Sequence, residues 1–130
     1  MIYLDSSALV TFIVRRKNVE ELEQFLAAQT TRTGTSTVGF VETVRTCDRI
    51  GDFPNLMGRL LRDHTEIPLN ALIRDAAANV PGPVRSLDAI HVASADMLGS
   101  ELIALVTYDH RMAEAARGAG LPVAMPGVEA

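Results

Sequence analysis

Met1-Ile-Tyr-Leu-Asp5 and Leu102-Ile-Ala-Leu-Val-Thr-Tyr-Asp109 share one form, an apolar run that stops on an aspartate. Short runs of branched and aromatic residues like these read as strands buried on both faces, the kind found in parallel sheets. In an open parallel sheet the ligand crevice lies beyond the carboxyl ends of the strands, so an acid closing such a strand points into the crevice and not into the core. Asp5 and Asp109 are therefore read first as site residues.

Outward from these two runs the chain alternates strand and helix. Ile2 to Leu4 is a strand, and Ser6 or Ser7 caps a helix reaching about Val14. Glu20, Glu21 and Glu23 give a second helix, ending near Gln29, an acidic first turn. After a strand at about Thr33 to Ser36, Thr37 caps a helix carrying Phe40, Val41, Val44 and Cys47, which Gly51 stops. Leu56, Leu60 and Leu61 recur at helical spacing behind Pro54. Thr65 to Leu69 is a weaker strand, since Pro68 has no N–H for a ladder and belongs at an edge or end. Asn70 caps a helix to about Asn79, and the Pro81-Gly82-Pro83 turn ends it. Ser86 to Leu98 is a helix, Ile103 to Tyr108 the most apolar strand, and His110 to about Ala116 the last helix before a short segment at Pro122. Such alternation predicts an α/β fold with a central, mainly parallel sheet and helices on both faces.

With 130 residues, 48% hydrophobic and 22% charged, the chain fits one domain spanning 1–130. Its apolar opening is too short, and too soon interrupted by Asp5, to be a signal peptide or a membrane span. The single cysteine, Cys47, forms neither an internal disulfide nor a cysteine-based zinc site, and an intracellular, cytoplasmic setting is expected. The net charge of −4 argues against a nucleic-acid partner only until it is divided. Setting aside four acids named below leaves 12 Asp and Glu against 12 Lys and Arg, so the remainder is neutral and local arginines are free to meet phosphates.

Two further acids come from helices. Glu42 lies about one turn into its helix, with Arg45 at i+3 and Arg49 at i+7 on the same side. Asp88 lies in the first turn of another, where the helix dipole alone favours an acid. Each has an ordinary explanation by itself; combined with two strand-end aspartates they make a set of oxygen ligands. Magnesium and manganese take such ligands, and a bound cation lowers the pKa of water and clamps phosphodiester oxygens. Metal-assisted hydrolysis is the chemistry this set suits.

At these residues the chain resembles the PIN-domain ribonucleases. Ile2-Tyr-Leu-Asp5-Ser-Ser-Ala-Leu, Ser36-Thr-Val-Gly-Phe-Val-Glu42-Thr-Val-Arg45, Ser86-Leu-Asp88-Ala-Ile-His-Val-Ala-Ser-Ala and Leu105-Val-Thr-Tyr-Asp109-His-Arg-Met-Ala are similar, in order, to that family's four blocks. Length and spacing are most similar to the VapC-type toxins of bacterial toxin–antitoxin modules. The resemblance implies a three-layer α/β/α sandwich and a Mg2+- or Mn2+-dependent endoribonuclease whose catalytic, metal-holding quartet is Asp5, Glu42, Asp88 and Asp109. It also implies an RNA substrate, a homodimer and a small neutralising antitoxin. Ser6 and Thr107 match small hydroxyl residues beside the quartet, and Arg45 matches an arginine that contacts phosphate or pairs with the glutamate. Ser6 has the alternative role of helix cap, and Thr107 that of a β-branched strand residue.

Other residues fit the chemistry less well. His91 shares a helix face with Asp88, but amid Ile90, Val92 and Ala93 it reads as a packed, hydrogen-bonded side chain rather than a ligand. Arg15-Arg16-Lys17 is a phosphate contact or a solvated loop. Val10, Phe12, Ile13, Leu22, Phe25 and Leu26 exceed what one helix face needs to bury, which suggests either a groove for a small partner or additional core. A receiver domain would need a lysine after a late strand, whereas the only lysine is Lys17; a haloacid-dehalogenase-like phosphatase would need an aspartate at Ser7. A non-enzymatic module of the same fold, binding RNA or protein, is the remaining alternative.

Overall fold

The computed structural model describes residues 1–128. Its elements run β1 (Ile2–Leu4), α1 (Ser6–Val14), α2 (Val19–Gln29), β2 (Thr33–Ser36), α3 (Thr37–Ile50), α4 (Leu56–Asp63), β3 (Thr65–Ile67), α5 (Ala71–Ala78), α6 (Ser86–Asp96), β4 (Ala104–Val106), α7 (His110–Gly118) and β5 (Val123–Ala124), with a 3-10 turn at Gly99–Glu101 before β4. The five strands form one sheet in the order β3-β2-β1-β4-β5, and every pairing is parallel. The sheet is thus wholly rather than mainly parallel. Pro68 falls just after β3, where its missing N–H interrupts no ladder.

Period-two alternation splits the core into two halves. Ile2 and Leu4 of β1 and Val106 of β4 join Leu9, Leu22, Phe40, Cys47 and Leu60 on the face covered by α1 to α4. Tyr3 and Leu105 point the other way, onto Val92, Met112 and Ala116 of α6 and α7. A buried leucine at 105 is held so completely that truncation to alanine costs about 2–5 kcal/mol. The result is three layers, helices over and under the sheet.

Several expectations shift in detail. Leu56 and Leu60 are buried, but Leu61 faces out at 49% exposure, because a helix of eight residues lying on the rim has only one inward stripe. The aliphatic and aromatic residues of α1 and α2 are core: Val10 and Leu22 are buried, and Phe12, Ile13, Phe25 and Leu26 pack partly buried against the same cluster. β4 is shorter than the apolar run that contains it, and α6 ends at Asp96 rather than Leu98.

Chain order decides where the crevice opens. From β1 the chain steps outward through β2 to β3, then returns to the opposite side of β1 with β4 and β5. The reversal falls between β1 and β4, and their carboxyl ends, Leu4 beside Val106, lead directly into Asp5 and Thr107.

Candidate active site

Asp5 sits at that reversal, only 2% exposed. Its backbone N–H donates to the Val106 carbonyl at 3.2 Å, extending the β1–β4 ladder by one step. Its Oδ1 accepts from the Ala8 N–H at 3.0 Å and from Ser7 Oγ at 2.7 Å, and its Oδ2 accepts from Thr107 Oγ1. Asp5 itself is therefore the N-cap of α1, the role expected of Ser6 or Ser7. Burial pushes its carboxyl above the ordinary aspartate range, with nearby His91 and the Thr107 and Ser7 hydroxyls pulling the other way.

The hydroxyl neighbours divide differently from expectation. Thr107 lies beside the acids as its position suggests, donating to Asp5 and accepting from the Asp109 N–H at 3.0 Å. Ser7, not Ser6, is the serine on Asp5; it also accepts from the Tyr108 N–H at 2.9 Å. Ser6, one residue earlier on the helix, turns away to line a groove with Glu42 and Arg45.

Asp88 and Asp109 are joined by a residue that sequence reading passed over. Arg85, at the N-terminal boundary of α6, donates from Nε to Asp88 Oδ2 at 3.0 Å and from an Nη to Asp109 Oδ2 at 3.3 Å. Its side chain is 57% exposed, those of the two acids 11% and 35%. The i,i+3 spacing from Arg85 to Asp88 was the readable signal, the same relation that drew attention to Glu42 and Arg45. Asp109 doubles as the N-cap of α7, accepting from the Arg111 N–H at 2.9 Å.

Glu42 is fixed by a buried relay. Its Oε1 lies 2.6 Å from His91 Nε2, and His91 Nδ1 lies 2.6 Å from the Tyr3 hydroxyl. That hydroxyl also accepts from the Ser36 N–H, and Nε2 is the ring nitrogen that faces the Glu42 carboxylate. Burial pushes the Tyr3 phenol up to about 12, keeping it a donor. His91 is packed and hydrogen-bonded, as read from its neighbours, yet its partner is a member of the quartet. The helix carrying Glu42 starts on a Ser36 side-chain cap rather than Thr37, and its first turn closes over β2 at Gly39, where a Cβ would stand 2.0 Å from Thr35 Oγ1.

Arg45 makes no ion pair with Glu42 among the described residues; with Arg49 it lines a groove of about 430 Å3 running from Glu42 to Leu87. A second cavity, about 510 Å3, lies on the other side of Asp88 between the Pro81–Pro83 turn and α7, and includes Arg85 and Arg111. Of the early basic cluster, Arg15 is committed to Glu23 at 3.0 Å.

The donor set suits a hard cation: Asp5 is tied to Asp109 through Thr107, Asp109 to Asp88 through Arg85, and Glu42 is bonded to His91 of the helix that carries Asp88. Arg85 already places one positive charge between two of them. As the side chains stand, no three acidic, histidine or cysteine groups among the described residues share one ligating position. Each carboxylate is turned to a protein donor instead.

The family model described as "PIN domain" matches residues 2–118. Among curated proteins, the chain is 39% identical to Ribonuclease VapC47 and 42% identical to Ribonuclease VapC35, both of Mycobacterium tuberculosis, covering 98% of this chain and of each relative. Its fold is similar to that in the structure of FitAB bound to an IR36 DNA fragment, with a TM-score of 0.69 at 15% identity over 95% of this chain and 94% of that one. It is similar also to M. tuberculosis VapC20, described as a Sarcin-Ricin loop cleaving toxin, with a TM-score of 0.70 at 14% identity over 88% and 95%.

Proposed function

Because this chain belongs to the PIN-domain family, with VapC ribonucleases as full-length relatives, we propose that it is a metal-dependent endoribonuclease acting as the toxin of a toxin–antitoxin pair. Asp5, Glu42, Asp88 and Asp109 would hold Mg2+ or Mn2+, which supplies a lowered water pKa and charge neutralisation at the scissile phosphate. The observation that carries this reading is the row of acids beyond the carboxyl ends of parallel strands, Asp5 after β1, Glu42 on the helix after β2 and Asp109 after β4, with Asp88 tied to Asp109 through Arg85 and arginine-lined cavities beside them.

The chain's own residues then divide the work. Thr107 and Ser7 fix Asp5, and the His91–Tyr3 relay fixes Glu42. Arg45 and Arg49 offer guanidinium forks to backbone phosphates entering along α3. The protein works in the cytoplasm as a homodimer held in check by a small antitoxin; among the described residues no helix is long and apolar enough to cross a membrane.

The test is incubation of the purified protein with total RNA, with and without Mg2+ or Mn2+, followed by mapping of new ends. Discrete metal-dependent ends are expected, absent with Asp88→Asn. RNA binding with no cleavage under any cation would leave the non-enzymatic module as the function.

A further inference from the structure

The Arg85 fork presents a difficulty for the active site and a means of resolving it. Its guanidinium spans Asp88 and Asp109, the two acids of the quartet that share no other side-chain donor, and so occupies the place where a cation bound to both would lie. A doubly charged ion and a guanidinium do not share that place, since like charges within a few ångströms repel strongly. Arg85 is nonetheless the most exposed member of the cluster, and it has somewhere to go. A cavity of about 510 Å3 is lined by Arg85 itself together with Asp88. Arg111 and Glu114 of α7 line that cavity, and the Pro81–Pro83 turn walls it. Gly82 of that turn holds a φ of +85°, a left-handed conformation that suits glycine.

We propose that Arg85 is a displaceable counter-ion: it neutralises Asp88 and Asp109 until a divalent cation takes them, and its freed guanidinium then joins Arg111 to position a phosphate of the RNA backbone. The inference rests on the metal-dependent reading above and adds to it a residue that changes partner. Before loading, the arginine offsets repulsion between two carboxylates. After loading, it stands in the adjacent cavity, where the pair of arginines outweighs Glu114 and a phosphate is the matching ligand.

The signature is two effects of opposite sign. Calorimetric titration of the metal-free protein with Mn2+ should show Arg85→Ala binding about tenfold or more tighter than wild type, as expected when a competing charge bonded at 3.0 and 3.3 Å to the two carboxylates is removed. The same variant should show a higher KM for an RNA oligonucleotide with a smaller change in kcat. Arg85→Lys keeps the charge but cannot span two carboxylates, so it should also bind Mn2+ more tightly than wild type. Arg111→Ala should raise KM without tightening Mn2+. In wild type, the Arg85 Nε–H resonance, assigned by its loss in Arg85→Lys, should shift on adding Mg2+ as its bond to Asp88 breaks. Mn2+ affinity in Arg85→Ala equal to or weaker than wild type, or an unmoved Nε–H signal at saturating Mg2+, would overturn the proposal. The two levels separate cleanly. If wild type and Asp88→Asn bind Mn2+ alike, the metal assignment and the counter-ion both fall; if Asp88→Asn loses binding and Arg85→Ala gains none, only the counter-ion does.

Discussion

The Asp5 corner and the Asp88–Asp109 corner hold the same functional group by opposite means. Asp5 is buried and surrounded by neutral donors: a helix N-terminus and two hydroxyls. Asp88 and Asp109 meet a single, largely exposed cation on a flexible stem. Neutral donors from the backbone and short side chains cost little to keep in place and leave the negative charge intact. A guanidinium cancels the charge and can leave. One corner thus holds its carboxylate with fixed donors, the other with a mobile cation, and Glu42, on its histidine relay, belongs with the fixed corner.

The largest effect should come from removing a ligand at either corner. Asp5→Asn and Asp88→Asn are each expected to lower metal-dependent RNA cleavage roughly a thousandfold or more, with the fold intact by circular dichroism. Full activity in either purified variant would remove that residue from the site.

Next in size is loss of a supporting group at the fixed corner. His91→Ala leaves Glu42 without its buried donor, and kcat/KM should fall roughly 10–100-fold. Tyr3→Phe keeps the imidazole but removes its orienting partner and strands the Ser36 N–H, so a smaller loss of activity and a lower melting temperature are expected. Equal activity of all three proteins would show that Glu42 needs no holding.

A stability measurement sharpens the comparison further. Because burial opposes the charge on Asp5, Asp5→Asn should melt, without metal, at or above the wild-type temperature, since asparagine caps a helix as well as aspartate does. Added Mn2+ should then raise the wild-type melting temperature more than the variant's. A variant melting well below wild type without metal would make Asp5 a structural partner.

The smallest effect lies away from the site and serves as a control on pH work there. His64, half-buried with Nδ1 2.7 Å from Thr33 Oγ1, has its pKa lowered by burial. The unfolded chain therefore takes up a proton before the folded one does, and stability should fall as pH drops below about 6.5, the ordinary histidine value. Thermal melts from pH 8 to 5 should show this decline, reduced in His64→Gln; an unchanged slope would place its origin elsewhere.

Much of the fold was legible in local sequence, because each signal there is a short-range one. Apolar runs too short for helices mark β1 and β4, Gly51 and the Pro81–Pro83 turn mark ends, and aspartates after the two buried strands mark the crevice. Asp5 and Asp109 stood out by the same logic, and each also caps the helix that follows its strand, whereas Glu42 and Asp88 were singled out only in combination with them and by the resemblance. Sequence by itself therefore determined the element order and the layered class, and it put forward the four acids as candidates. What it did not determine is which atoms meet. Ser6 and Ser7 are adjacent in the chain, and only the rotation of α1 against β4 gives Asp5 to Ser7. Glu42 and His91 are 49 positions apart, and only the packing of α3 against α6 joins them. Arg85 was as visible as Arg45, yet the i,i+3 rule holds for both, and tertiary structure alone decides that one clamps two carboxylates while the other faces an open groove. Hydrogen bonds reach only about 3 Å, so partner choice depends on the placement of whole elements, and that is settled by packing the core and not by any local run of residues.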